Sequence, residues 1–379
     1  MLILPNRLFV QTVLPVSRLL VRNVSSGKQK KGIFGIGFAS ASVGLLLGTG
    51  YSIYYMNKPN AHLVNEETRI KLVEYVPDIK PSKIIKHVED RSGLELTLYQ
   101  YQTCPFCCKV RAFLDYYGIS YNVIEVDPVL RQAIKWSPYK KVPILVAKSE
   151  QGLQPLNDSS MIVSAIATYL FEGNKDIYEI VNYYPFISYV NDGGRKTSEI
   201  MNKYFVMLSR ASRSKADELD EKEERKWRSW ADEVLVHTLS PNVYRTRDEA
   251  LQAFRWFSDV GEWEMNFPAW ERHLIIYAGA AAMWLIGKRL KKRHNLKDDV
   301  RQSLYDECNV WLKAVRAKGG RFLGGDRPNL GDLAVYGVLS SIEGCRAFED
   351  LLGHTKIGGW YFEMKEVVGR SEGAKLIRS

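Results

Sequence analysis

The chain has 379 residues, 46% of them hydrophobic, enough for two packed domains with accessory segments. Its formal charge of +10 is spread along the sequence with no aromatic–basic module beside it, which argues against nucleic-acid binding. Five cysteines, three of them crowded at 104, 107 and 108, are not the framework of a disulfide-stapled secreted domain.

Residues 1–31 carry Arg7, Arg18, Arg22, Lys28, Lys30 and Lys31 and no acid, and the first carboxylate is Glu66. Such a segment reads either as an organellar presequence or as the basic flank of a membrane span. Residues 32–56 hold no charge at all. At a rise of about 1.5 Å per residue, a helix of this length crosses a hydrocarbon core of about 30 Å. The small residues from Gly37 to Gly44 suit helix packing in lipid, and Tyr51, Tyr54 and Tyr55 suit an interface. A retained transmembrane helix is the reading adopted, with a cleaved signal as its rival. Residues 57–92, broken by Pro59, Pro77 and Pro81, read as a tether.

The informative stretch follows. Leu94, Leu96 and Leu98 alternate with Glu95 and Thr97, which predicts a half-buried strand. Val110, Phe113, Leu114 and Tyr117 then recur at helical spacing, and Gly118 supplies a stop. Cys104 therefore lies in a strand-to-helix turn, where unpaired amides and the helix dipole favour a thiolate. Pro105 suits the first helical turn. Cys107, two residues beyond Pro105, could close a disulfide with Cys104.

Further strands are predicted at Tyr121–Val126 and Lys141–Val146, with a helical segment at Val129–Lys135 between them. Asn157-Asp158-Ser159-Ser160 opens the next helix with a ready N-cap. Residues 93–173 thus read as β-α-β-α-β, one more strand or turn, then α. Residues 174–230 read as a helical, strand-free connection rich in charge, and 231–379 as a helical domain. His273–Gly287 is too short to span a bilayer and reads as a buried helix. Asn329 and Asp332 form a capping-box variant ahead of an apolar run. Cys308 and Cys345 read as packed thiols.

Three blocks coincide: Thr103-Cys104-Pro105-Phe106-Cys107 after a strand, Val142-Pro143 before one, and Asn157-Asp158-Ser159-Ser160 at a helix start. Together they resemble a glutaredoxin-type thioredoxin fold. The helical remainder resembles the C-terminal domain of glutathione transferases, so the fold class is α/β followed by all-α. With the apolar N-terminal segment and the charged connection, the chain resembles the membrane-associated prostaglandin E synthases of the second type from about residue 90 onward. That resemblance implies Cys104 as the catalytic thiol, Tyr101 hydrogen-bonded to it, and Cys107 able to resolve a mixed disulfide, with Cys108 facing away. It implies glutathione held by the Val142 backbone beside a cis Pro143, with Asp158 and Ser159 at its γ-glutamyl end. It further implies haem ligated through the glutathione sulfur, and conversion of prostaglandin H2 to prostaglandin E2. The expected assembly is a homodimer, anchored to a Golgi, other endomembrane or mitochondrial membrane, with a soluble form after cleavage. Read without the resemblance, Tyr101 also suits strand-end packing, and Asp158-Ser159 simple capping. A glutathione-dependent dithiol oxidoreductase and a non-catalytic glutathione–haem binder are the rival functions.

Overall fold

The computed structural model describes residues 66–377, apart from 69, 174, 191–195 and 209–214. The basic segment and the expected membrane span lie outside the described residues. Among those described, no helix is long and apolar enough to cross a membrane.

The first half is built on a five-stranded sheet in the order β2 (Lys83–Ile85), β4 (Tyr121–Glu125), β3 (Leu96–Gln100), β5 (Ile144–Ser149), β6 (Gly152–Asn157). β3 runs parallel to β4 and antiparallel to β5, so the middle of the sheet is mixed. Helix α1 (Pro105–Tyr116) links β3 to β4, the right length of crossover for a parallel pair. Helix α2 (Ser159–Glu172) follows β6. The alternation in β3 is present but does not leave one face wet. Leu96 and Leu98 join the main core, while Tyr99 packs with Ile124, Ile134, Ile144 and Val146 on the opposite face.

Two predicted boundaries are corrected. The tether at 57–92 contributes β1 (Glu66–Thr68) and the edge strand β2, which pairs antiparallel with β4. The connection taken as strand-free holds β7 (Phe186–Val190) and β8 (Lys196–Ile200), a hairpin that pairs with β1 in a second sheet. These strands are three to five residues long, and their partners are far away in sequence, so periodicity within them is too short to register.

The remainder is helical: α3 (Lys215–Trp230), α4 (Val236–Val243), α5 (Arg247–Val260), α6 (Ala280–Arg293), α7 (Val300–Lys318), α8 (Leu330–Ser340), α9 (Arg346–His354) and α10 (Ile357–Gly369). A division of the chain after residue 230 would cut a continuous rod, because a π turn at Ala231–Leu235 joins α3 to α4. His273–Gly287 is also corrected. It belongs to a surface helical run with Ile275, Ala280 and Gly287 turned inward, while Tyr277 is 55% and Leu285 56% exposed. One side of the run packs on α4 and α5, and nothing among the described residues covers the other. Cys308 and Cys345 are buried free thiols, as expected.

Helix α1, which begins at Cys104, is seated directly on α8. A methyl at Gly337 of α8 would lie 2.5 Å from Lys109 Cα and 3.0 Å from the Cys108 carbonyl carbon. Only glycine allows that approach. A polar lock adds to the packing. Lys109 Nζ, 3% exposed as a residue, pairs with Asp232 of the π turn and donates to Ser160 Oγ at 2.9 Å and Ser159 Oγ at 3.3 Å. Arg228 donates to Ser164 Oγ at 2.7 Å, to the Ser160 carbonyl at 3.1 Å and to the Tyr204 carbonyl at 2.8 Å. Charges this deeply buried are tolerable only when partnered, so α1, α2 and α3 are held in one arrangement.

Candidate active site

The sheet register assembles the site. Tyr99 of β3 pairs with Ile144 of β5, which pairs with Asn157 of β6. β5 runs antiparallel to both neighbours. The turn after β3, the Val142-Pro143 peptide before β5 and the Asp158-Ser159 turn after β6 therefore emerge at the same end of three adjacent strands. The three motifs meet.

At the first position Cys104 is the N-cap of α1, with extended backbone (φ −74°, ψ 124°), no side-chain cap bond and Pro105 next to it. Its N–H donates to the Tyr101 carbonyl at 3.1 Å, and its carbonyl accepts from Cys108 N–H at 2.9 Å. Cys104 is partly exposed, whereas Cys107 and Cys108 are buried, and all three are free thiols. The Cys104 thiol is held below the ordinary cysteine range. The Cys107 thiol donating to it is the largest cause; burial opposes, and the Cys107 and Phe106 amides and the Arg111 charge add to the lowering. Burial and the neighbouring Cys104 charge push the Cys107 thiol well up. One sulfur of the pair is thus the easier to ionise and the other is its hydrogen-bond donor.

Tyr101 and Tyr139 pack against the same cluster as Val142. Burial raises the Tyr101 phenol to about 12, and the charges of Cys104 and Cys107 add to the shift while Arg131 opposes it. No hydroxyl–sulfur bond joins Tyr101 to Cys104 among the described residues. Tyr101 is a phenol held neutral near Cys104, without a hydrogen bond to its sulfur. The Val142-Pro143 bond is cis, as the resemblance implies.

At the third position Asp158 caps α2, its Oδ1 accepting from Ser160 N–H at 2.9 Å and Met161 N–H at 3.3 Å. Asp158 Oδ2 lies 3.8 Å from Lys203 Nζ. Ser159 is buried and its hydroxyl meets Lys109, so only its backbone is left to serve a ligand. Cys108 packs, as expected, but against polar groups: its Sγ accepts from Arg111 Nη2 at 3.1 Å and faces the Gln102 carbonyl at 3.5 Å.

The sequence model for glutaredoxin matches residues 96–151, the span from β3 to the β5–β6 turn. A Mus musculus protein described as prostaglandin E synthase 2 is 49% identical over 293 residues, covering 77% of this chain and 75% of its own. Its Danio rerio counterpart is 51% identical over 277 residues, covering 73% of this chain and 71% of its own. The chain belongs to the prostaglandin E synthase 2 family. Among solved structures, apo glutathione S-transferase III aligns over 75% of this chain and 98% of its own at 14% identity, with a TM-score of 0.39.

Several residues of this prostaglandin E synthase 2 family member reach the site without a motif to announce them. Tyr139 feels the charges of Asp158, Cys104 and Cys107 and is pushed up mainly by burial. Tyr244, from the helical half, is raised by burial, with smaller contributions from Cys345 and then Cys104. Iodoacetamide alkylation of Cys104, followed against pH by mass spectrometry, is expected to show an inflection below the ordinary cysteine value. Cys107→Ala should move that inflection upward, because it deletes the donor, and by more than Tyr101→Phe does. A larger shift in the Tyr101 variant would reverse the roles given to these two side chains.

Proposed function

We propose that this chain isomerises prostaglandin H2 to prostaglandin E2 with the Cys104 thiolate as nucleophile and glutathione held beside it. The observation that carries the reading is a partly exposed, acidified thiol at the start of α1 in a member of this family. The thiolate attacks the endoperoxide oxygen on carbon 9, forming an S–O bond as the O–O bond breaks. The electron pair leaves on the carbon-11 oxygen, which takes the proton of the neutral Tyr101 phenol. The resulting tyrosinate is a competent base and removes the hydrogen on carbon 9. The C–H pair becomes the C=O bond, the S–O pair returns to sulfur, and thiolate and phenol are both regenerated. Nothing is oxidised or reduced overall.

The cis Val142-Pro143 peptide and the amides at the start of α2 suit a peptide-like tripeptide with a carboxylate at its γ-glutamyl end. The family resemblance implies haem held through the glutathione sulfur, with glutathione rather than a protein side chain supplying the ligand. The residues fit glutathione. A single membrane span at residues 32–56 on a Golgi, other endomembrane or mitochondrial membrane would keep the enzyme beside an apolar substrate. A homodimer completes the reading.

The Cys104–Cys107 dithiol favours a second reading, a glutathione-dependent oxidoreductase. Product analysis with the full chain, prostaglandin H2 and glutathione decides between them. Prostaglandin E2 is expected, and malondialdehyde with the complementary hydroxy acid in its place would overturn the isomerase reading.

A further inference from the structure

Behind Cys104 lies a charged network that the reaction does not touch. Gln102, two residues before the thiol, has both of its backbone groups held by charged side chains from different elements. Its N–H donates to Glu125 Oε1 of β4 at 2.7 Å, and its carbonyl accepts from Arg111 Nη2 of α1 at 2.6 Å. The fully buried Gln100 side chain joins the two. Its Nε2 donates to Glu125 Oε2 at 3.2 Å and to Gln102 Oε1 at 2.8 Å, while its Oε1 accepts from Arg111 Nη1. Arg111 Nη2 also reaches Cys108 Sγ.

We propose that Arg111 and Glu125 are positioning residues that grip the Gln102 peptide from both sides and so aim Tyr101 and Cys104. The turn has one backbone bond of its own, Cys104 N–H to the Tyr101 carbonyl at 3.1 Å, and turns are otherwise commonly fixed by short Asn, Asp or Ser side chains. Two largely desolvated charges are a costly way to hold a backbone turn, tolerable only because each is partnered, and here they are partnered on Gln102, between Tyr101 and Cys104. Burial lifts Glu125 to about 7 against the Gln102 amide and Arg111, which shows how much solvation it has given up. Arg111 repays the arrangement twice, as a planar fork that sets the carbonyl and as a positive charge that lowers Cys104. The groups facing Arg111 are Cys107, Cys108, Asp115 and Tyr121, and Lys83 faces Glu125 from the edge strand. Because Tyr101 and Cys104 flank the gripped peptide on its two sides, one clamp sets the geometry between acid and nucleophile.

The inference rests on Cys104 being the reactive thiol, and its first readout, alkylation of that thiol, needs no prostaglandin. Cys104 alkylation against pH is measured in the full chain for Arg111→Met, Arg111→Lys and Glu125→Leu, each beside a thermal melt. Arg111→Met is expected to raise the inflection and slow alkylation at neutral pH several-fold. Arg111→Lys keeps the charge but not the fork, so it should bring the inflection back while turnover stays low through kcat rather than KM. Glu125→Leu should lower reactivity more than Glu125→Gln, which keeps an oxygen for the Gln102 N–H. A wild-type inflection and rate in a folded Arg111→Met would overturn the proposal. If that variant does not fold, wild-type profiles in both Arg111→Lys and Glu125→Leu would overturn it. Loss of the clamp effect with intact isomerase activity separates its failure from that of the isomerase reading.

Discussion

Cys104→Ser is expected to abolish turnover, by on the order of a hundredfold or more, while leaving the fold at least as stable as before. A serine hydroxyl is not ionised near neutral pH, so the lowering that prepares the Cys104 thiol has nothing to act on. Stability should hold for a local reason. Cys104 occupies an N-cap position and makes no side-chain cap bond, and serine is among the favoured N-cap residues. The replacement can therefore add a cap, worth up to about 1 kcal/mol. Cys107→Ser behaves differently. Its hydroxyl keeps a donor beside Cys104, so isomerisation should survive in large part, whereas reduction of a mixed disulfide through a dithiol should collapse. Turnover with prostaglandin H2 and with a glutathione mixed disulfide, each normalised to folded protein, gives the test. Near wild-type isomerisation by Cys104→Ser would remove the nucleophile from the mechanism, and parallel losses in both assays for Cys107→Ser would favour the oxidoreductase.

What could be read from sequence here was local. The Cys104 turn, the Val142-Pro143 peptide and the Asp158 cap each carry their signal within a few residues, and the strands beside them bring the three to one end of the sheet. The short strands β1, β2, β7 and β8 carry no such signal, since Lys83 finds its partner at Val123 and Glu66 at Ser188. The surroundings of Ser159 were legible only in part, for a similar reason. Its place at a helix start was legible, but Lys109, fifty positions away in sequence, claims its hydroxyl. Arg111, Glu125 and Tyr139 belong to no motif and acquire meaning only when the sheet sets them around Cys104. The apolar run from His273 suggested burial because composition records how apolar a helix is, not how many neighbours it has.

Asp332→Ala is expected to lower stability by at least about 3 kcal/mol and to leave activity per folded molecule unchanged. The sequence pattern promised a capping box, and the box is there. Asn329 Oδ1 accepts from Gly331 N–H at 2.9 Å and Asp332 N–H at 3.1 Å, while Asp332 Oδ2 accepts from Asn329 N–H at 3.1 Å. The structure adds more. Asp332, 0% exposed, also accepts from Leu323 N–H at 3.0 Å, Gly324 N–H at 3.1 Å and the Trp360 indole at 3.2 Å. Alanine would strand all of these donors away from water, and each buried orphan costs about 1–3 kcal/mol, partly relieved by local relaxation. The loss should thus exceed that of an ordinary surface cap, about 0.5–2 kcal/mol. The carboxyl also has a pH signature. Burial, outweighing the donors, raises it from 3.8 to about 6. A folded-state value above the unfolded one means that the native state holds the proton more tightly. The proton-linked part of its contribution is therefore complete below 3.8 and lost as pH rises through about 6, while its hydrogen bonds to the four donors remain. Denaturant melts of wild type and the non-titrating Asp332→Asn across that window should show the deficit of the variant narrowing as pH rises. Because α8 carries Gly337 against the active-site helix, the competing outcome is informative: an unchanged melt with lost turnover would move Asp332 out of the scaffold and into the site.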